Sequence, residues 1–401
     1  MRLSNKALQS DFSPMRKFHK ASVEAKKRGI SIYHLNIGQP DIPTPERYFE
    51  AIGKFNAKTD AYAPSQGTDE LLAAIVKYYK SIGQDITKDN IIVTTGGSEA
   101  LLFAGFCALD DGDEILIPEP FYPNYKTIFN AVGGVVKPIP TLHSENYFYA
   151  DPARIGKLLS RKTKALLLSN PNNPTGTAIG DKQMLDMLEL CKKNDLFLIC
   201  DEVYREIYYG KDPKSSSALQ FRDYDDNVIV IDSASKRFSC CGSRIGALIS
   251  RNSDVIQNSM KLAQARLSVS TINQVGAAAL FDSITPEYSK ELCEKYKRRI
   301  DAAVTELERI PGVEVSIPTG AFYIMAALPV DDADDFQNWL LSSFDDNKET
   351  VMFAPGKCFY ATEGKGRNEI RIACVLEESK LKRAIGILKI ALERYKNAAD
   401  K

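Results

Sequence analysis

The sequence has no surplus of charge of either sign: 52 Lys plus Arg stand against 52 Asp plus Glu. So balanced a surface exerts no long-range pull on nucleic acid or on an anionic membrane, and neither is an expected partner. No stretch approaches the roughly 20 consecutive apolar residues that a spanning helix requires. The opening MRLSNKALQSDFSPMRKF has no apolar core of signal-peptide length, so a cytoplasmic protein is expected. Only three histidines occur (His19, His34, His143), and none stands at ligand spacing from a cysteine or another histidine. No metal site is expected. The eight cysteines never form C-x-x-C, and Cys200 in LFLIC and Cys374 in IRIAC lie inside apolar runs. They read as small buried hydrophobes in a reducing compartment. Cys240 and Cys241 are neighbours close to Lys236 and admit a redox reading, although buried thiols outnumber reactive ones. There is no G-x-x-x-x-G-K-[ST] and no G-x-G-x-x-G after a strand, which argues against P-loop and dinucleotide chemistry. What remains is a small molecule held in a cleft.

The 401 residues are 44% hydrophobic and 26% charged, an ordinary globular balance that can bury a core without disulfides. Short apolar runs alternate with helical patterns through the middle of the chain. The runs are Ile91–Thr95, Glu114–Pro118, Ala165–Ser169, Leu196–Cys200, Val228–Asp232 and Gly246–Ser250. Their near-continuous Val, Ile and Leu content predicts strands covered on both faces. Asp181–Asn194 shows helical spacing between two of them. Strand and helix in alternation predict an α/β three-layer sandwich around a mostly parallel sheet, with ligands beyond the carboxyl ends of the strands. After about residue 285 the pattern changes to a charged helix (Tyr288–Glu308), GAFYIMAAL, a helix near Asp334–Phe344, EIRIACV and a terminal amphipathic helix, Lys380–Lys396. The expected organisation is a large domain over residues 46–284. A smaller α+β domain would combine residues 1–45, with their N-terminal arm, and 285–401. No repeat or low-complexity tract interrupts it.

Five segments carry groups with chemical use. SASKRFSCCGSRIG follows the run VIVID and brings Ser233, Ser235, Lys236 and Arg244 together. Hydroxyls and a guanidinium form an anion site, and a lysine beside it can form a Schiff base with an aldehyde cofactor. In DEVY, Asp201 ends a strand and Tyr204 follows three residues on. Such a carboxylate can hold a pyridinium nitrogen protonated, or merely cap a helix. SNPNNPTG stiffens a turn around Asn173, as an ordinary turn also would. VTTGGSEALL is a strand, a glycine pair and a helix start, so Gly97, Ser98 and Glu99 can offer phosphate donors. NEIRIACV puts Arg371 on a strand, where it can clamp a carboxylate or simply face solvent.

In this order and spacing, SNPNNPTG, DEVY and S-x-S-K-x7-R resemble the class I/II aminotransferases, fold type I of the pyridoxal-phosphate enzymes, in their aspartate aminotransferase-like branch. The resemblance runs from about His34 to Val375. It implies a seven-stranded sheet and pyridoxal 5'-phosphate as cofactor. It also implies ping-pong transfer of an amino group from an L-amino acid, aspartate first, to a 2-oxo acid such as 2-oxoglutarate, by way of pyridoxamine phosphate. Lys236 is similar to the lysine that bears the cofactor and moves the Cα proton. Asp201 matches the partner of the ring nitrogen, and Tyr204 and Asn173 match the partners of the ring oxygen. Ser233, Ser235, Arg244 and the Gly97–Ser98–Glu99 turn match the phosphate cup. Tyr122 in PEPFYPNY falls where the family stacks an aromatic ring on the cofactor. Tyr62 in AYAPSQG matches a tyrosine that reaches the neighbouring subunit's phosphate, which implies a homodimer with shared active sites. Gly38 in NIGQPD, Asn173 and Arg371 match the holders of the substrate α-carboxylate. Arg16 in SPMRKF is a candidate for a second, distal carboxylate. Ser243 departs from the aromatic residue many relatives have before the phosphate arginine, which bears on subfamily rather than reaction.

The sequence admits two other outcomes. The same cofactor set supports C–S bond lysis or other Cα/Cβ chemistry, since the lysine and its cup do not select the bond broken. A cofactor-sensing regulator on this fold would carry a DNA-binding domain, which the balanced charge and the short stretch ahead of NIGQPD disfavour.

Overall fold

The structure, a computed structural model, describes residues 1–9, 14–210 and 217–399. Its centre is a seven-stranded sheet in the order Ile91–Thr94, Gly246–Ile249, Val228–Ser233, Phe197–Asp201, Thr163–Ser169, Glu114–Glu119 and Val135–Pro140. All neighbours pair in parallel except Gly246–Ile249, which runs antiparallel to both of its own. Residues 234–245, which join it to Val228–Ser233, hold only the short turns Ala234–Arg237 and Cys241–Ser243 and no crossover helix of the kind a parallel return uses.

Alternate side chains of each strand feed two apolar layers. Ile115, Ile117, Leu167, Ile199, Ile229 and Ile231 pack on one face with helices Gly96–Ala108 and Ser253–Arg266. Leu116, Leu166, Leu168, Leu198, Val228 and Val230 pack on the other with helices Asp69–Ser81, Asp181–Lys193 and Thr271–Ser283. This is the expected three-layer α/β sandwich, and the aliphatic runs are strands because both faces need apolar cover. Val135–Pro140 escapes the apolar pattern because it is an edge strand, partly exposed and broken by Lys137, Pro138 and Pro140.

A second, four-stranded antiparallel sheet has the order Ala354–Pro355, Glu369–Ala373, Tyr323–Ala327, Glu314–Val315. It packs with helices Pro286–Leu307 and Glu378–Ala399 around Leu328, Phe336, Phe353, Ile370 and Leu388. From the N-terminal part, Ser31–His34 pairs in parallel with Glu349–Met352, and helix His19–Lys27 lies on helix Ala333–Ser342. Helix Asn5–Gln9 lies elsewhere, against helix Asn124–Ala131 beside the large sheet, where Lys6 pairs with Asp111 at 2.7 Å. Among the described residues, no helix is long and apolar enough to cross a membrane and no His/Cys/Asp/Glu group could hold a metal ion.

Candidate active site

At the carboxyl ends of the central strands a cavity of about 360 Å³ opens toward the second sheet. Strand Phe197–Asp201 ends on Asp201, and strand Val228–Ser233 ends on Ser233, whose hydroxyl accepts from the Ser235 amide at 3.1 Å and starts the turn Ala234–Arg237. That turn aims Lys236 into the cavity, where Nζ donates to the Gly38 carbonyl at 2.7 Å. Gly38 is required by space: a Cβ there would stand 1.8 Å from the Tyr323 hydroxyl.

Asp201 is 6% exposed, and burial above all pushes its carboxyl up to about 6. Hydrogen bonds from the Tyr125 hydroxyl (2.7 Å) and the Val203 amide (3.3 Å) oppose that rise and orient the carboxylate. Tyr204 is buried, its hydroxyl 2.8 Å from that of Tyr323. Burial raises the Tyr204 phenol well above its usual range, so it is a neutral hydrogen-bonding group.

One end of the cavity suits a phosphate. The 13-residue helix Gly96–Ala108 begins there, and Gly97 and Ser98 line the wall beside Ser233, Ser235 and Arg244. Arg244, in the left-handed conformation at φ 54°, donates, among the described residues, only to the carbonyls of Cys241 (3.1 Å) and Thr95 (3.4 Å). It has no carboxylate partner among the described residues, which leaves its fork available to an anion. Gly96, at φ 72°, keeps the space open, because a Cβ would stand 2.4 Å from Arg244 Nη2.

The other end suits a carboxylate. Arg371 is 2% exposed; Nη1 donates to Asn173 Oδ1 at 2.9 Å and Nη2 to the Asn36 carbonyl at 2.6 Å. Its guanidinium lies 4.4 Å from the Tyr323 ring, a contact the antiparallel register dictates: Met325 faces Arg371 and Tyr323 faces Ala373, on one side of the sheet. Arg371 Nε has no partner among the described residues, an incomplete state that an anion corrects. Arg16, exposed at the mouth, makes no hydrogen bond or ion pair among the described residues. Arg16, Lys236, Arg244 and Arg371 thus face a single lining carboxylate, Asp201.

Most residues singled out from the sequence line this one cavity: Arg16, Gly38, Gly97, Ser98, Tyr122, Asn173, Asp201, Tyr204, Ser233, Ser235, Lys236, Arg244 and Arg371. Two do not. The Glu99 carboxylate turns back to accept from the Thr95 amide at 2.7 Å and approaches Arg266 at 3.6 Å, so it caps its own helix. Tyr62 is 80% exposed and away from the cavity wall. Reading the sequence missed Asn124, Tyr125 and Tyr323, which also line it. Asn124 donates to the Tyr122 hydroxyl at 2.8 Å. Their signal was proximity to named segments, since Asn124 and Tyr125 close PEPFYPNY and Tyr323 sits in GAFYIMAAL.

The family model described as aminotransferase class I and II matches residues 30–388. The chain is 32% identical to a probable aspartate/prephenate aminotransferase of Aquifex aeolicus, over 92% of this chain and 93% of that one. Among solved structures it is similar to a double mutant of Thermus thermophilus aspartate aminotransferase, with TM-score 0.87, 27% identity, and coverage of 98% of this chain and 100% of that one. An alanine aminotransferase from Pyrococcus furiosus fits equally, with TM-score 0.87, 30% identity and the same coverage.

Proposed function

The chain belongs to the class I and II aminotransferases, which use pyridoxal 5'-phosphate, and from that premise we propose that it transfers amino groups between an acidic L-amino acid, aspartate first, and a 2-oxo acid such as 2-oxoglutarate. The observation that carries the reading is the charge of the cavity: four cations face one carboxylate. A cofactor phosphate and the two carboxylates of a dicarboxylic substrate would complement that excess.

The cofactor suits the residues present. Arg244, the Ser233 and Ser235 hydroxyls and the amides of Gly97 and Ser98 would hold its phosphate. Asp201 would hold a proton on the ring nitrogen, Tyr204 and Asn173 would serve the ring oxygen, and Tyr122 would cover a ring face. When bound, the cofactor supplies an electron sink for the charge left at the substrate Cα. Lys236 Nζ would hold the cofactor covalently, and it is the amine placed to take and return the Cα proton. Arg371, Gly38 and Asn173 seat the α-carboxylate, which fixes the Cα–H bond relative to Lys236. Tyr62 acts across a homodimer, and its exposure supports that role. That the eight cysteines are not joined in disulfides accords with a cytoplasmic enzyme.

Incubation with aspartate alone tests the reaction. One equivalent of oxo acid per chain should appear and turnover stop until 2-oxoglutarate is added. Continuous release of pyruvate and ammonia from a β-substituted amino acid would instead mark a lyase.

Two substitutions test the seats. Arg371→Gln should lower kcat/KM for donor and acceptor alike by about 10²- to 10³-fold, measured by steady-state kinetics, since a charge-assisted bidentate contact is lost. Arg16→Ala should lower kcat/KM for aspartate and glutamate by about tenfold or more while sparing neutral donors. Equal losses for both classes would remove Arg16 from the substrate.

A further inference from the structure

Directly behind the cavity lies a buried ionic cluster that the chemistry above does not use. Asp232, 2% exposed, is its hub. Its carboxylate accepts from the Ser233 amide (2.7 Å), Arg237 Nη2 (2.9 and 3.2 Å), the Tyr79 hydroxyl (3.0 Å) and Arg205 Nη2 (3.2 Å). Arg205 also pairs with Glu202, and the Arg237 guanidinium lies 4.3 Å from the Tyr78 ring.

Chain adjacency links this cluster to the site. Glu202 follows Asp201, Arg205 follows Tyr204, Asp232 precedes Ser233 and Arg237 follows Lys236. Along the strand ending at Ser233, successive side chains leave on opposite faces, so Ser233 meets the cavity while Asp232 enters the cluster. Four cavity residues from two strand ends are thereby tied, through their neighbours, to one set of hydrogen bonds. Stability alone is a poor reason for such a cluster, because well-packed apolar residues of the same volume often serve as well or better. Arg237 Nε and Nη1 and Arg205 Nε have no hydrogen-bond partner among the described residues, so the cluster carries polar groups that packing does not reward. It also acts electrostatically: after burial, which dominates, the negative charges of Asp232 and Glu202 add to the rise of the Asp201 carboxyl.

We propose that the Glu202–Arg205–Asp232–Arg237 cluster is a positioning frame for the reaction, fixing from behind the backbone that presents Asp201, Tyr204, Ser233 and Lys236. The inference rests on the reading of Lys236 as the cofactor-bearing lysine.

Three variants test it: Arg237→Gln, Arg237→Lys and the shape-conserving Tyr79→Phe, each loaded with pyridoxal 5'-phosphate. The readouts are kcat, KM, thermal midpoint and the pH titration of the bound cofactor's absorbance. Arg237→Gln should lower kcat about 10- to 100-fold with KM little changed, the effect of a slightly displaced amine. Its absorbance titration should move to higher pH, because the buried positive charge that pairs with Asp232 behind the site is gone. Arg237→Lys should recover part of both changes, and Tyr79→Phe, which removes a hydrogen bond to Asp232 but no charge, should lower kcat in smaller measure with the titration little moved. If Arg237→Gln does not fold, Tyr79→Phe decides. Variants that lose only thermal stability, with wild-type kcat per bound cofactor and wild-type titration, overturn the frame. A wild-type protein with no cofactor joined to Lys236 overturns the underlying reading instead.

Discussion

Replacing Lys236 by alanine is expected to lower turnover by roughly four orders of magnitude or more while cofactor binding persists, because the residue belongs to a catalytic unit whose loss is not shared out among the others. Lys236 is the only primary amine among the residues lining the cavity, so no neighbour replaces it as nucleophile or as proton carrier. The groups assigned to the phosphate lie elsewhere, on the helix start at Gly97 and Ser98, on Ser233 and Ser235, and on Arg244. The cofactor should therefore still bind, without the absorbance of its lysine-linked form. Lys236→Arg separates charge from chemistry: it keeps the cation and removes the nucleophile, and it should be as inactive as Lys236→Ala. Single-turnover kinetics with aspartate measures both, and near-normal turnover in either would remove Lys236 from the mechanism.

The second large effect is expected at Asp201. Asp201→Asn keeps the shape and can still accept from the Tyr125 hydroxyl, yet it cannot keep a proton on the ring nitrogen by charge. A loss of about 10²- to 10³-fold in kcat/KM is expected, the size typical of one preorganised electrostatic group. The same substitution has a signature without cofactor. Burial raises the Asp201 carboxyl from an ordinary 3.8 to about 6, so the folded protein keeps a proton that the unfolded chain has released. Asp201 then contributes nothing either way below about pH 4, and an increasing penalty as pH rises through 6, worth about 3 kcal/mol in order of magnitude. Cofactor-free Asp201→Asn should thus be more stable than cofactor-free wild type above pH 6 and equal to it near pH 4, as read by urea denaturation. Equal stability at both pH values would contradict the buried-carboxylate account.

Much of this was legible in the sequence, for a definite reason. Strands covered on both faces must be apolar throughout, so the runs ending near Thr94, Ser169, Asp201 and Ser233 reveal themselves, and with them the edge where ligands bind. The chemical residues follow those ends within a few positions, so finding the ends finds the residues, although the sheet seats Ile91–Thr94 beside Gly246–Ile249 and far from its chain neighbours. Where side chains meet across elements, sequence is silent. Tyr323 reaches Tyr204 and Arg371 only through antiparallel register, and Tyr125 reaches Asp201 from the helix Asn124–Ala131. At Glu99 the motif names a helix start whose backbone amide can serve a phosphate, while the side chain's hydrogen bond with the Thr95 amide is visible only in the fold. The edge strand Val135–Pro140 and the reversed direction of Gly246–Ile249 depend on sheet position and connection, which apolar content does not encode.

Which amine bears the cofactor has a direct answer in chemistry. Borohydride reduction of the cofactor-loaded protein, then proteolysis and mass spectrometry, marks the amine covalently joined to pyridoxal 5'-phosphate. One phosphopyridoxyl group per chain is expected, on the peptide containing Lys236. A label on another lysine, or a fully loaded protein with no label, would contradict it.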